Sequence, residues 1–410
     1  MYNNIVANRD IIVVGQQPWD VAIGSNCKNI ALEFSKHNRV LYVNSPLDRI
    51  SSLKDRKDPK TQRRLNVIGK KENGLVQLSE NLWNLYPDCI VESVNWIGVD
   101  YVFDKINYRN GVKFASSIKK ALHELSFKNY ILFNDNEIIK CFYLKQLLKP
   151  VLSLYYSRDY ILATDYWKKR GKRLEPLVII DNDGCVANST YLSDYCKQYN
   201  ERSWYVGQGC ELDIFLKEIS ELPDQIKNLP YPIIGYVGAL LSNRLNIDVL
   251  IYIARKKPLW TIVLVGPEDE SFKISELHQL KNVLFTGPKP AEQLPGYIHA
   301  FDVCINPQIV NELTIGNYPR KIDEYLAMGK PVVATNTKAM EIFNNYVYLA
   351  ETKDDYLLLI EQALAEHTPS LAKHRKEFAA QHTWENSVAE IYKSINALQA
   401  VNPVACKTAE

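Results

Sequence analysis

Short apolar runs ending in glycine or a polar residue recur along the chain, with stretches of helical spacing between them. In the first half they fall at Asp10–Gly15, Val40–Val43, Leu82–Tyr86, Tyr130–Asn134, Leu152–Tyr156, Val186–Ala187 and Trp204–Val206. The pattern restarts at Ile233–Gly238 and continues through Trp260–Val265, Asn282–Phe285, Asp302–Asn306 and Val332–Thr335. Continuous apolar runs alternating with helical segments predict parallel strands buried on both faces, hence an α/β chain. Ile30, Leu32 and Phe34 mark the first of these helices, residues 354–366 an amphipathic one, and Thr383-Trp384-Glu385 the cap of a last one reaching about Ala400. The restart, and a length of 410 residues, predict two domains. The first spans 1–215 and the second 233–380, with the Pro-punctuated, polar stretch 216–232 as linker. The tail after Pro403 is expected to be disordered.

The most informative stretch is Asn311–Thr335, NELTIGNYPRKIDEYLAMGKPVVAT. Pro319 can open a helix, because its missing N–H costs nothing in a first turn. Ile322, Tyr325 and Leu326 then give one apolar face, Gly329 a left-handed stop, and Pro331 a residue that cannot continue the helix. Arg320 and Lys321 therefore lie at a helix N-terminus, where unpaired N–H groups and a partial positive charge favour phosphate. Glu324 follows one turn later, and an ionised carboxylate can accept two hydrogen bonds from a vicinal diol such as a ribose. Diphosphate beside diol describes a nucleotide-sugar. Alternatively, Lys321 and Glu324 are an ordinary solvated i,i+3 pair.

Charge and cysteine content narrow the partners. A formal net charge of +2 argues against a general nucleic-acid binder and leaves room for local basic patches. Residues 49–71 hold nine Lys or Arg against two Asp, and Lys168–Arg173 is a second basic cluster. Each is either a solvated face or a contact for an anionic membrane surface. The chain has no apolar run long enough to span a bilayer, and its N-terminus lacks the layout of a signal peptide. Eight scattered cysteines without zinc-type spacing are expected to be reduced thiols of a cytoplasmic enzyme.

Asp10–Val43 reads as a strand, a Gly-bearing loop, a helix and a strand, and such loops bind ligands at the carboxyl ends of open α/β sheets. Gly15 and Gly24 are nine apart, so G-x-G-x-x-G is absent and a nicotinamide-dependent oxidoreductase is disfavoured. Polar residues follow two further strands, at Asn134-Asp135-Asn136 and Ser157-Arg158-Asp159. Asp159, and less so Asp135, can hold substrate hydroxyls or act as a base, or can simply cap a helix.

Glu324, Gly329, Pro331, Val332 and Val333 match a Glu-x-x-x-x-Gly-x-Pro-Val-Val pattern. On these residues the chain resembles the retaining glycosyltransferases of family 4. Pro319 and Lys321 resemble the variant found in teichuronic-acid-type and capsular polysaccharide transferases. The resemblance implies GT-B architecture, with two Rossmann-like parallel-sheet domains facing a cleft and a C-terminal helix, 381–402, crossing back to the N-terminal domain. It implies a nucleotide-sugar donor, a glycan or lipid-linked acceptor, and transfer with retention of anomeric configuration. The departing phosphate would then deprotonate the acceptor on the same face.

The donor-site residues implied are Gly24, Gly238, Arg244, Gly316, Lys321 and Glu324, with Glu312 orienting the donor sugar or phosphate. Residues after Gly287-Pro288 would meet the base. Three departures stand out. The family's two glutamates are eight apart, whereas Glu312 and Glu324 are twelve apart and Gly316 holds the eight-apart position. Ala239 stands where the family has a phosphate-binding Arg, leaving Arg244 with Lys321 as the substitute charge. No His follows any N-terminal strand. Cations and a helix N-terminus would neutralise the leaving diphosphate, so no metal or other cofactor is expected; Asp181-Asn-Asp183 reads as a turn. A GT-B sugar-nucleotide 2-epimerase and a non-catalytic nucleotide-sugar-binding subunit are the alternatives.

Overall fold

The computed structural model describes residues 5–21, 24–219 and 221–401; residue 402 of the expected last helix and the tail after Pro403 lie outside them. Two compact units emerge, one of residues 1–207 with 384–410, the other of residues 208–383.

The first unit is built from β1 (Asp10–Gly15), β2 (Arg39–Val43), β3 (Leu47–Asp48), β4 (Leu75–Ser79), β5 (Leu82–Leu85), β6 (Ile90–Val91), β7 (Ile131–Asp135), β8 (Leu152–Ser157), β9 (Gly184–Ala187) and β10 (Ser203–Tyr205). Eight of them form one sheet in the order β10-β9-β8-β7-β1-β2-β5-β4, while β3 and β6 pair separately. All pairings are parallel except that of β4 with β5. Successive residues of β1 serve opposite faces. Ile11 and Val13 pack with Phe34 and with Trp384, Ile391 and Leu398 of the last helix, whereas Ile12 and Val14 pack with Phe114 and Ile118 of the helix Asp100–Glu124. Two buried faces explain the unbroken apolar run, each fully buried aliphatic side chain contributing roughly 1.5–3 kcal/mol. The last helix, Trp384–Val401, thus returns to the first unit. In helix Asn26–Ser35, Ile30 and Phe34 are buried but Leu32 faces solvent, since residues two apart cannot share a helical face.

The second unit holds β11 (Ile233–Val237), β12 (Thr261–Val265), β13 (Val283–Gly287), β14 (Val303–Asn306), β15 (Val332–Thr335) and β16 (Tyr348–Ala350), all parallel, in the order β13-β12-β11-β14-β15-β16. The expected linker differs from the observed chain path. Leu212, Phe215 and Ile226 are buried in the core of this unit and Leu222 and Leu229 pack against it, so 208–232 belongs to the second unit. Prolines there supply turns, but the apolar residues between them require burial. Residues 381–383 also fall in the second unit, and the last helix starts at Trp384.

In both sheets the strand order runs outward in two directions from one pair. That pair is β7 and β1 in the first unit, and β11 and β14 in the second. Loops leaving the carboxyl ends of such a pair diverge and open a crevice, where open α/β sheets place ligands.

Candidate nucleotide-sugar site

The crevice of the second unit is lined by the loop after β11 and the longer segment after β14. The helix within that segment runs from Arg320 to Ala327 with Pro319 at its N-cap. Ile322, Tyr325 and Leu326 are fully buried, as their spacing predicts, and Gly329 follows with φ +74°. Val237 N–H donates to the Tyr325 hydroxyl at 2.8 Å, fixing the helix against the end of β11. A second anchor is Asp323, wholly buried, with its carboxylate 2.5 Å from His382 Nδ1 and accepting from Cys210 Sγ at 3.2 Å.

Lys321 leaves this helix toward Gly238. Its Nζ donates to the Tyr236 hydroxyl at 2.6 Å, and a Cβ on Gly238 would sit 2.9 Å from that Nζ. Gly238 has φ +143°, a conformation costly for any residue with a side chain. Gly266, φ +149°, supports it from β12, since a Cβ there would come within 2.0 Å of the Gly238 carbonyl oxygen. Glycine is thus required twice to let backbone, ammonium and hydroxyl converge.

Arg244 lies on the same loop, exposed, with no ion pair seen for it among the described residues. Three hydrogen bonds stitch this loop to the segment after β14: Ile309 N to Arg244 O at 2.8 Å, Asn246 N to Pro307 O at 2.8 Å, and Asn311 Nδ2 to Asn243 O at 2.9 Å. Glu312 is exposed and Gly316 buried within that segment. Arg244, Lys321, Gly238, Glu312, Gly316 and Glu324 are therefore carried by two loops and one helix at a single sheet edge. Glu324 is half-buried, and no hydrogen bond is seen for its carboxylate among the described residues. Burial, with Asp323 nearby, pushes it up to about 7 against the opposing charges of Arg320 and Lys321. The carboxylate expected to be plainly ionised thus titrates near neutrality.

The first-unit candidates are placed differently. Gly24 is exposed beside residues 22–23, which lie outside the described residues, and precedes Ser25, whose side chain caps helix Asn26–Ser35. Asp159 is half-exposed and accepts from Arg158 Nη1 at 2.6 Å, while Arg158 Nε donates to the wholly buried Asp135 at 2.9 Å. Burial raises the Asp135 carboxyl, opposed by the Arg158 charge. Asp183 accepts from Ser153 N and Oγ and from Lys145, so the Asp181-Asn-Asp183 turn is occupied structurally.

Much of the basic charge is likewise consumed. Arg49, Arg63 and Arg64 pair with Glu92, Glu72 and Asp20, and Arg170 and Arg173 with Asp100 and Asp104. Lys54, Arg56 and Lys57 remain exposed beside Leu53. Seven described cysteines are unbridged, and no helix among the described residues is long and apolar enough to cross a membrane.

Tyr236, Gly266 and the Asp323–His382 pair were not singled out from sequence. Gly266 carried the signal of a strand ending in glycine; the others carried none, because their partners are distant in sequence.

Such an edge, with backbone, cations and a carboxylate at a crossover reversal, lies where open α/β units place their ligands. Residues 231–372 match the family model described as "Glycosyl transferases group 1". Over 274 residues, 60% of this chain and 68% of the relative, the chain is 27% identical to the "Putative teichuronic acid biosynthesis glycosyltransferase TuaH" of Bacillus subtilis. Among solved structures it is similar to sucrose-phosphate synthase from Thermosynechococcus elongatus (TM-score 0.65, 16% identity, 96% of this chain and 100% of the other). It is also similar to Anabaena HepE in complex with UDP (TM-score 0.66, 13% identity, 95% and 100%). The fold is that of GT-B glycosyltransferases, and the family match and the relative support a glycosyltransferase.

Proposed function

We propose that this protein moves a sugar from a nucleotide-diphospho-sugar to a glycan or lipid-linked acceptor, with retention of anomeric configuration, in cytoplasmic synthesis of a cell-surface polysaccharide. The observation that carries the reading is the Lys321 ammonium held at Gly238, with Arg244 on the same loop as that glycine and neither cation seen paired with a carboxylate among the described residues. A departing diphosphate develops negative charge, and preorganised cations stabilise it without reorganisation. Lys321 takes over from the Arg that Ala239 lacks; no metal is called for. Glu324 receives the ribose diol, and Glu312 with the Gly316 turn orients the sugar. On the first unit, Gly24 and Asp159 are the residues proposed to meet substrate, and the acceptor hydroxyl gives its proton to the leaving phosphate.

HepE is described with UDP and with UDP-glucose, and TuaH by teichuronic acid biosynthesis. The first favours a nucleotide-sugar donor, and the second a polysaccharide product. Exposed Ile50, Leu53, Lys54 and Lys57 favour peripheral contact with anionic lipid.

Thermal unfolding with UDP-, GDP-, dTDP- and ADP-sugars tests the reading, since a ligand bound only by the native state raises its stability. One donor should stabilise the protein and be slowly hydrolysed without acceptor. Stabilisation by none, or epimerised nucleotide-sugar as the product, would overturn it.

A further inference from the structure

A cavity of about 860 Å³ opens in the first unit, with Gln16 after β1, Ser45 after β2 and Glu137 after β7 among its lining residues. It therefore lies at that sheet's own crossover reversal, and its size is that of a small-ligand site. Side walls come from Asn107 on helix Asp100–Glu124, from Asp48 and Val91 of the β3–β6 ribbon, and from the start of helix Asp165–Asp181.

Two features of this lining select a ligand. The first is aromatic. Trp96 is 72% exposed and Tyr166 60% exposed, a costly display unless something covers them. Both are held in place: Trp96 Nε1 already donates to Ser93 O at 2.7 Å, and Asn95 Nδ2 donates to Tyr166 O at 2.8 Å. Trp167 packs edge-on against Tyr166 at 5.1 Å. With its N–H satisfied internally, the indole offers a flat apolar face and no donor.

The second feature is acceptor-rich polarity. Glu137 is almost fully buried and is steadied by Ile139 N and Lys140 N at 2.9 and 3.1 Å. Asn107 is buried and anchored to Ile139 O at 2.9 Å, and Asp48 accepts from Ser93 Oγ at 2.6 Å and from Ser51 N and Oγ at 3.1 and 2.8 Å. Four acidic side chains face two lysines around the cavity, with Glu92 already spent on Arg49. An anionic ligand is disfavoured there. Hydroxyls, which donate to carboxylates and amides, and C–H faces, which lie on aromatic rings, occur together in a saccharide.

We infer that this cavity binds a neutral oligosaccharide, with Trp96 and Tyr166 as platforms and Asp48, Asn107 and Glu137 receiving hydroxyls. That the saccharide is the acceptor rests on the glycosyltransferase reading; that it binds does not.

The labelled full chain, without any nucleotide-sugar, should be retained on an array of immobilised neutral, acidic and amino-sugar oligosaccharides. Retention should favour neutral glycans, fall tenfold or more in Trp96→Ala and in Tyr166→Ala, and be unchanged in Lys281→Ala, at an exposed position of the second unit. Unaltered unfolding temperatures would show both aromatic variants to be folded, as expected for exposed side chains. Retention of no glycan, preference for acidic ones, undiminished binding by both aromatic variants, or loss in Lys281→Ala would each overturn the assignment. Failure here with donor-induced stabilisation intact would leave the transferase reading standing.

Discussion

The two crossover reversals share one backbone plan and opposite electrostatics. At β7 and β1 the cation is spent: Arg158 lies between buried Asp135 and half-buried Asp159. At β11 and β14 the cations are kept available: among the described residues Lys321 is seen to donate to the Tyr236 hydroxyl and to no carboxylate, and Arg244 is exposed. Parallel strand ends supply a crevice in either case, and the compensation of charge decides what enters it. A compensated crevice suits a neutral ligand, and an uncompensated one suits a diphosphate.

Breaking the compensated side should give the largest effect. Arg158→Met leaves Asp135 buried without its cation, which should destabilise the protein by about 3–5 kcal/mol. Adding Asp135→Asn should recover part of this loss in denaturant unfolding. No loss in the single variant would mean that the pair does not neutralise the first crevice.

On the other side, Lys321→Ala and Arg244→Ala should each weaken donor binding by about 2 kcal/mol, roughly thirtyfold, while leaving folding stability nearly unchanged. Calorimetric titration would measure both. Wild-type affinity in Lys321→Ala would remove the substitute for the missing Arg at Ala239.

Smaller still is the pH response. Glu324 is raised to about 7, so its ionised form is fully present only above that pH. Donor affinity should rise as pH increases through 7, by up to about tenfold per unit below it, and flatten above. Glu324→Gln should show no such rise. A flat wild-type profile would exclude the ionised carboxylate as the diol acceptor.

Asp159→Asn should have the least effect on stability, less than about 1 kcal/mol, because Asp159 is half-exposed and Arg158 keeps Asp135. If Asp159 contacts the acceptor, kcat should nevertheless fall with donor binding unchanged. An unaltered kcat would reduce Asp159 to a partner of Arg158.

The parallel strands were legible because burial on both faces makes each one a continuous apolar run. Helix Arg320–Ala327 was legible from the spacing of Ile322, Tyr325 and Leu326, and Gly238 from its place at a strand end. The stretch 216–232 was misjudged, since proline punctuation reads the same in a free linker and in a segment packed through Leu222, Ile226 and Leu229. Trp96 and Tyr166 were invisible as a pair, lying seventy residues apart until Asn95 joins them.

The one-dimensional order of residues was enough to set two Rossmann-like sheets and the helix bearing Lys321 and Glu324, because periodicity and local punctuation act over a few neighbouring positions. Only the folded chain settled which charges are cancelled. Asp135 meets Arg158 across twenty-three residues, His382 meets Asp323 across fifty-nine, and Lys321 meets Tyr236 across eighty-five. Coulombic and hydrogen-bond energies depend on distance in space, which sequence separation does not fix.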